Sequence, residues 1–308
     1  MKTDIIKSII ITGPTASGKT ALSIELAKKI DGEIISSDSM QIYKDMDIGT
    51  AKVTKEEAQG IKHYLVDFVS PDQRYTVSDF KKDAETAIKE ILEKGKVPIV
   101  VGGTGLYVNS LIYGIEYQDM KIDENYRNML MERAEDPQEL EKLWEEANRI
   151  DPEAMTKISR NDKKRIIRVL EIYKATGKTK TEQEILSRQK GTEYDYKVFG
   201  ISMDREKLYE RINLRVDLMI QAGLEDEVKN LLNKYSEFPT AMQGLGYKEV
   251  KEYFDGIITR EEMIDKIKQE SRRYAKRQLT WFRRNNEIIW LDKDDGMEKN
   301  LKTIIKEL

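Results

Sequence analysis

"IITGPTASGKTALSIELAKKI", residues 10–30, joins the end of an apolar run to a glycine-rich turn and then to apolar residues at helical spacing. Residues 13–20 match G-x-x-x-x-G-K-[ST] at every fixed position. Glycines allow the N–H groups of such a loop to point inward, and the helix that follows adds its positive N-terminus. The stretch therefore predicts a buried parallel strand over Ser8–Thr12, a phosphate-binding loop and a helix over Lys19–Ile30.

The loop predicts binding of a diphosphate or triphosphate, but it does not define the reaction. The Lys19 ammonium adds a point charge, and the Thr20 hydroxyl is the candidate ligand of a Mg²⁺ cofactor. Phosphate contacts are predicted for every residue of the motif: Gly13, Pro14, Thr15, Ala16, Ser17, Gly18, Lys19 and Thr20.

Strands and helices alternate around this loop. Because strands separated by helices form parallel sheets covered on both faces, the pattern predicts an α/β fold of the P-loop type. Further strands are predicted at Glu33–Ser37, Tyr64–Phe68, 97–103, 196–204 and 287–292. Helices are predicted over Val77–Lys94, Arg205–Lys234, Tyr247–Asp255 and Arg260–Arg284.

Residues 119–190 differ from the rest of the chain, because they are highly charged and contain no convincing strand. Breaks at Asp136-Pro137, Asp151-Pro152 and Gly177 divide this segment into helices. We therefore expect an α/β catalytic core formed by residues 1–118 and 191–308, interrupted by an all-helical insertion domain.

The composition excludes several classes of protein. The 308 residues contain no cysteine and one histidine, which excludes disulfides and thiolate metal sites. No stretch approaches the ~20 apolar residues that a membrane span needs. We expect a cytoplasmic monomer that makes no membrane contact.

Positive charge is concentrated in two stretches, although 53 basic and 56 acidic residues nearly balance. These are "SRNDKKRIIR", residues 159–168, and "SRRYAKRQLTWFRR", residues 271–284. Either stretch is an ordinary solvated helix face or a surface that binds an RNA backbone. A balanced total charge does not exclude the second interpretation, because the local positive potential governs phosphate binding. In the second stretch, Tyr274, Trp281 and Phe282 are interleaved with the cations.

Asp38 directly follows the second predicted strand. Ligands of open α/β sheets bind beyond the carboxyl ends of the strands, so Asp38 is expected to face the same crevice as the phosphate loop. It is a turn or helix-capping residue, a Mg²⁺ contact or a general base. Gln41 and Tyr43 are candidates to read or stack on a base.

Two further features bear on the phosphate site. The strand "VPIVV" ends in Gly-Gly-Thr-Gly without the acid that a hydrolytic Mg²⁺ site requires, and Asp67 is a weak substitute. Arg211 and Arg215 are four residues apart on a predicted helix, so both can bind one anion or form a surface pair with nearby acids.

Six stretches occur in the order GPTASGKT, ISSDSMQIYKDMDIGTAK, VGGTGLY, ERINLRVDLMIQAGLEDEV, AMQGLGYKE and AKRQLTWFRR. Together they resemble the bacterial type of the tRNA dimethylallyltransferase (isopentenyltransferase) family, over nearly the whole chain. The resemblance implies that the loop and Arg215 hold the diphosphate of dimethylallyl diphosphate, with Mg²⁺ as the metal. It further implies that Asp38 is the general base and that Thr104 contacts the target nucleotide.

The resemblance also implies that tRNA is the second substrate. The prenyl group would be transferred to N6 of the adenosine 3′ to the anticodon, and the insertion domain would grip the anticodon stem-loop. The implied tRNA contacts are Asp38, Ser39, Met40, Gln41, Thr104, Arg127, Lys164, Arg165, Arg168, Gln243, Gly244, Leu245, Gly246, Tyr247 and Lys248.

The chemistry of such a transfer agrees with these residue types. An exocyclic adenine amine is a poor nucleophile unless it loses a proton, and a carboxylate positioned to accept that proton typically raises the rate about 10²–10⁴-fold.

Two alternative functions account for fewer of these sequence features. A nucleoside or small-molecule kinase using ATP would share the loop but would leave the insertion and the basic stretches without a role. A non-catalytic RNA-binding protein would leave Asp38 without one.

Overall fold

The computed structural model describes residues 6–116, 123–189 and 191–308. The chain divides into two compact units, one formed by residues 1–112 and 192–308 and the other by residues 113–191. The domain boundaries predicted at 118–119 and at 190 lie outside the described residues.

The first unit contains a six-stranded sheet in the order β3-β2-β4-β1-β5-β6. Every neighbouring pair of strands is parallel, as the alternation of elements predicts. The strands are β1 (Ile6–Thr12), β2 (Gly32–Ser36), β3 (His63–Tyr64), β4 (Val97–Gly102), β5 (Tyr194–Ser202) and β6 (Ile289–Asp292).

Fourteen helices are found in the described part of the chain, and none is long and apolar enough to cross a membrane. They are α1 (Lys19–Ile30), α2 (Lys55–Ala58), α3 (Val77–Glu93), α4 (Gly105–Ile112), α5 (Glu124–Arg133), α6 (Pro137–Ile150), α7 (Pro152–Met155), α8 (Lys163–Thr176), α9 (Lys180–Ser187), α10 (Arg205–Gln221), α11 (Leu224–Lys234), α12 (Tyr247–Phe254), α13 (Arg260–Phe282) and α14 (Met297–Glu307).

Side chains of the central strand alternate between the two faces of the sheet. Ile10 packs into a cluster with residues of α3 and α4. Ile9 and Ile11 pack on the other face against α1 and α14. Each is fully buried, and burying such a side chain contributes about 1.5–3 kcal/mol. The layers hold the carboxyl ends of β1, β2 and β4 at one edge of the sheet, where the phosphate loop and Asp38 follow.

A third cluster fixes the loop that follows β2. Ile42, Tyr43 and Met46 pack with residues of α10, α11, α12 and α13, and all three are fully buried. The helices of the C-terminal third therefore determine the path of the chain immediately beyond Asp38.

Two predicted elements are wrong in their bounds. The third strand is His63–Tyr64 rather than Tyr64–Phe68, because Leu65 and Asp67 adopt left-handed φ angles of 58° and 59°. The helix predicted over Arg205–Lys234 is divided at Gly223, whose φ of 97° is readily adopted by glycine. Helices α2, α4 and α14 were not predicted.

In the second unit, helices start and stop at the predicted breaks. The Asp136 carboxylate caps α6 and the Asp151 carboxylate caps α7, since each accepts a backbone N–H of the first turn. Gly177 ends α8 with a φ of 67°. Leu143 and Ile166, both fully buried, belong to the separate core of this unit.

Candidate active site

The phosphate loop joins β1 to α1 through a left-handed turn. Gly18 has a φ of 92° and is the residue that precedes the first turn of α1. The Lys19 Nζ lies back over the loop, where it donates to the carbonyls of Gly13 (3.0 Å) and Pro14 (2.7 Å). The positive N-terminus of α1 and the lysine therefore act at the same place.

This loop forms one wall of a cavity of about 660 Å³. The other walls come from the chain beyond β2, from α10 and from α13. Asp38, Arg211, Arg215, Tyr274 and Gln278 line it. One space in the first unit therefore contains an anion-binding loop, a carboxylate and two guanidinium groups.

The charged groups of the cavity influence one another. Burial lowers the pKa of Lys19 to about 8, Asp38 opposes this shift and Arg215 adds to it. Burial also lowers the pKa of Arg215, again opposed by Asp38. Glu25 and Glu57 line the cavity together with Asp38, and Glu57 also favours the charged form of Arg215. A further anion bound there would offset the cost of burying the two cations.

Two arginines of α10 are fixed by backbone carbonyls. Arg211 Nε donates to the carbonyl of Ala16 at 2.8 Å, which joins α10 to the phosphate loop. Arg215 Nη2 donates to the carbonyl of Thr50 at 3.2 Å. Both side chains line the cavity one turn of α10 apart, so the two guanidinium groups face the same space.

The Asp38 carboxylate is oriented by the turn that it begins. Its Oδ1 accepts from the N–H groups of Met40 (2.9 Å) and Gln41 (3.4 Å). In the described part of the chain both bonds fall on Oδ1, which leaves Oδ2 without a protein partner there. Asp38 therefore stabilises a turn and still offers an oxygen to a ligand.

Thr104 lies at the end of β4 and is bonded to the residue after Asp38. Its Oγ1 accepts from the Ser39 N–H (3.1 Å) and donates to Ser39 Oγ (3.3 Å). Tyr274 lies near the same group. Burial and then the Asp38 carboxylate raise the pKa of Tyr274 to about 12, with Thr104 opposing. From the sequence, Tyr274 was expected only as part of the basic stretch, because a contact between α13 and the chain after β2 cannot be inferred from spacing.

Comparison with known proteins identifies the family of this chain. The family model described as IPP transferase matches residues 41–285. The chain belongs to the IPP transferase family. It is 50% identical over 299 residues to the tRNA dimethylallyltransferase of Acetivibrio thermocellus, covering 96% of this chain and 95% of that protein. The tRNA dimethylallyltransferase of Carboxydothermus hydrogenoformans is 50% identical over 302 residues, covering 98% and 97%.

Two solved structures have folds similar to that of this IPP transferase family member. A tRNA isopentenylpyrophosphate transferase from Staphylococcus epidermidis has a TM-score of 0.72 and 44% identity, with 98% of each chain covered. A eukaryotic dimethylallyltransferase acting on tRNA has a TM-score of 0.74 and 32% identity, covering 93% of this chain and 74% of the other.

Several residues expected to face RNA in this family member are internal. Tyr43 and Tyr247 are fully buried core residues, and Tyr247 Oη donates to Glu227 at 2.6 Å. The Gln41 amide donates to the carbonyls of Thr50 (3.3 Å) and Ala51 (3.2 Å), so it orders the loop around Arg215. In the segment 243–248 only Gln243 and Lys248 are exposed.

In the second unit, three predicted RNA contacts are ion-paired: Arg165 with Asp162 at 3.3 Å, and Arg127 and Arg168 with Glu171. Arg127 Nε lies 2.5 Å from a carboxylate oxygen of the buried Glu171, and Arg168 lies 3.4 Å from its other oxygen. Lys164 and Arg165 are exposed. The two exposed cations are therefore better placed for an external ligand than the two that share Glu171.

The C-terminal basic stretch contains both residues of the folded core and exposed residues. Phe282 is buried, and Arg272 Nη1 donates to Asn213 Oδ1 at 2.6 Å, so both belong to the folded core. The exposed members are Arg273, Lys276, Arg277, Trp281, Arg283 and Arg284.

Proposed function

We propose that this protein transfers a dimethylallyl group from dimethylallyl diphosphate to N6 of the adenosine 3′-adjacent to the anticodon of tRNA, releasing diphosphate. Family membership supports the reaction, since the relatives are named tRNA dimethylallyltransferases. The assignment of its steps to particular residues is the one that the family resemblance implies, and the cavity is consistent with it.

One observation supports this donor above all others. A single face of α10 presents Arg211, Leu214, Arg215 and Leu218 to the cavity, and both leucines are more than half exposed. Residues three and four apart lie side by side on a helix, so cations and apolar side chains adjoin. Such a surface matches a ligand with a diphosphate head and a short hydrocarbon tail.

In the reaction, we assign the general base to Asp38. The adenine amine becomes a good nucleophile as its proton leaves, and the half-buried carboxylate offers Oδ2 to accept that proton. Thr104, bonded to Ser39, would position the target nucleotide. The new C–N bond forms as the C–O bond to diphosphate breaks, and the electron pair of that bond leaves with diphosphate.

The leaving group requires positive charge, which the loop and α10 supply. Backbone N–H groups of the phosphate loop would bind the diphosphate oxygens, together with Lys19, Arg211 and Arg215. Pro14 has no N–H, and the N–H of Thr15 is donated to Gln278. The described residues contain no cluster of three His, Cys, Asp or Glu that would hold a metal by itself. The exposed Thr20 hydroxyl fits Mg²⁺, which usually takes one or two protein ligands together with substrate phosphates and neutralises their charge.

We assign tRNA binding to exposed positive charge on both units. Lys164 and Arg165 would contact the anticodon stem-loop, together with Arg127 and Arg168 if the Glu171 pairs open. We also assign tRNA contact to Ser39 and Met40, which follow Asp38, and to the exposed Gln243 and Lys248. We further propose that the protein acts as a cytoplasmic monomer, as expected from its composition.

The test is an incubation with Mg²⁺, unmodified tRNA and either dimethylallyl diphosphate or ATP, followed by mass spectrometry of the nucleosides. We expect prenylated adenosine with the first donor only. Phosphate transfer from ATP without prenylation would instead indicate a kinase, and tRNA binding without either product would indicate a non-catalytic protein.

A further inference from the structure

The Gln278 amide joins two loops that are distant in sequence. Its Oε1 accepts from the N–H of Thr15 at 2.9 Å, and its Nε2 donates to the carbonyl of Gly103 at 2.9 Å. The side chain is 6% exposed. Thr15 follows β1 and Gly103 follows β4, which are neighbours in the sheet. A single amide on α13 therefore connects the phosphate loop to the turn that contains Thr104.

Gly103 provides the space for this connection. A Cβ added at position 103 would lie 2.1 Å from Gln278 Nε2, far inside van der Waals contact. Any other residue at 103 would displace the amide or the turn. The absence of a side chain at position 103 therefore leaves the space that the Gln278 amide occupies.

The two loops are those that would hold the two reacting partners. On one side, the residue after Thr15 accepts the bond from Arg211 that ties α10 to the phosphate loop. On the other, Thr104 follows Gly103 and is bonded to Ser39, next to Asp38. The Gln278 amide consequently links the diphosphate-binding loop to the base.

We infer that Gln278 is a positioning residue that sets the separation between bound diphosphate and the Asp38–Thr104 pair. This inference rests on the proposed function. An amide is needed because it supplies an acceptor to one loop and a donor to the other, whereas an ionised carboxylate only accepts. Displacing reacting groups by an ångström costs about 10²-fold in rate.

The first test compares Gln278→Leu, which has similar size and no hydrogen bonds, with Gln278→Glu. The matched control is Thr280→Ala, which removes one hydrogen bond within the same helix. We expect both Gln278 variants to lower kcat about 10–100-fold, by displacement of the loops. Dissociation constants for diphosphate and for tRNA should change by less than about threefold, as expected when the lost interaction acts only in the transition state. The control should retain full activity.

The second test is a double-mutant cycle with Gly103→Ala and Gln278→Ala. Gly103→Ala alone should slow the reaction as strongly as Gln278→Leu, because its methyl group displaces the amide. The double variant should be no slower than Gln278→Ala, since alanine at 278 leaves room for that methyl group.

The outcomes are distinct. If the wild type prenylates tRNA and Gln278→Leu retains its kcat, this inference is wrong and the proposed function stands. Rate losses that simply add in the cycle, or that parallel a loss of folded protein, would also overturn it, because Gln278 would then be an ordinary core residue. An inactive wild type would overturn both.

Discussion

Lys19 shows how the cavity changes the chemistry of a single residue. Burial lowers its pKa to about 8, although Asp38 favours the charged form. Its Nζ bonds only to carbonyl oxygens of the loop within the described residues. An arriving diphosphate would restore the charge, so binding should be coupled to proton uptake above this pKa.

This coupling predicts a pH dependence. As pH rises through about 8, the free protein loses the Lys19 charge, so diphosphate affinity should fall. Lys19→Met lacks this group, and the affinity difference between the two proteins should therefore shrink with rising pH. Calorimetry between pH 6.5 and 9.5 measures both series, and their comparison removes the titration of diphosphate itself. A constant difference across the range would contradict the assignment.

Asp38→Asn separates the base from the binding site. The amide keeps an oxygen for the turn N–H groups but accepts a proton poorly, so kcat should fall about 10²–10⁴-fold. Affinity for diphosphate and tRNA should be nearly unchanged. Asp72→Asn, at an exposed loop acid, is the control. Near-normal turnover in Asp38→Asn would exclude the carboxylate as general base.

At the scale of elements, α11 holds the loop that follows Asp38. Glu227 Oε2 accepts from the N–H groups of Asp47 (2.8 Å) and Ile48 (2.7 Å), and its Oε1 accepts from Gly49 N–H (3.1 Å). The next residue, Thr50, provides the carbonyl that binds Arg215. Glu227, which lies outside the cavity, therefore fixes the loop whose carbonyl binds Arg215 inside it.

Glu227→Gln should therefore act on both stability and binding. The amide nitrogen would face backbone donors, and leaving them unpaired costs about 1–3 kcal/mol in the free energy of unfolding. Diphosphate affinity should fall as well, because the Arg215 carbonyl partner becomes mobile. Glu225→Gln breaks the exposed pair with Arg260 and should have a much smaller effect, because such a pair is solvated and screened. Equal effects of the two changes, by urea unfolding and calorimetry, would argue against this role.

The sequence predicted local elements better than contacts between them. Helix α1 has its predicted bounds, because a glycine-rich turn and helical periodicity both act over a few residues. Tyr43 and Tyr247 were assigned to RNA, although long-range packing buries them. The Gln278 bond to Thr15 spans 263 positions, and no local signal marks such a contact.

At the scale of the whole molecule, the exposed cations of α13 and the residues after it form a candidate RNA surface of the first unit. Arg283→Gln with Arg284→Gln should weaken tRNA binding and reduce the slope of log affinity against log salt by up to about 1.8, given ~0.7–0.9 per phosphate contact. Lys302→Gln with Lys306→Gln, exposed on α14, should leave the slope unchanged. An unaltered slope in the arginine variant would exclude this surface.

The division into an α/β core and a helical insertion could be predicted, because the composition of the chain changes between the two. The α/β pattern and the charged helical segment were both visible, and the structure contains a parallel sheet and a separate helical unit. The proposed choice of diphosphate rather than ATP was not visible in the loop alone. This proposal rests on side chains from the chain after β2, from α10 and from α13, which the fold brings into one cavity.

The central claim is that diphosphate is the leaving group of a prenyl transfer. The most direct measurement is the ratio of diphosphate released to dimethylallyl groups found on adenosine N6 in one incubation with Mg²⁺, tRNA and dimethylallyl diphosphate. We predict a one-to-one ratio in the wild type and a proportional loss of both products in Asp38→Asn. Diphosphate release without prenylated adenosine, or phosphate on the nucleic acid, would contradict the account.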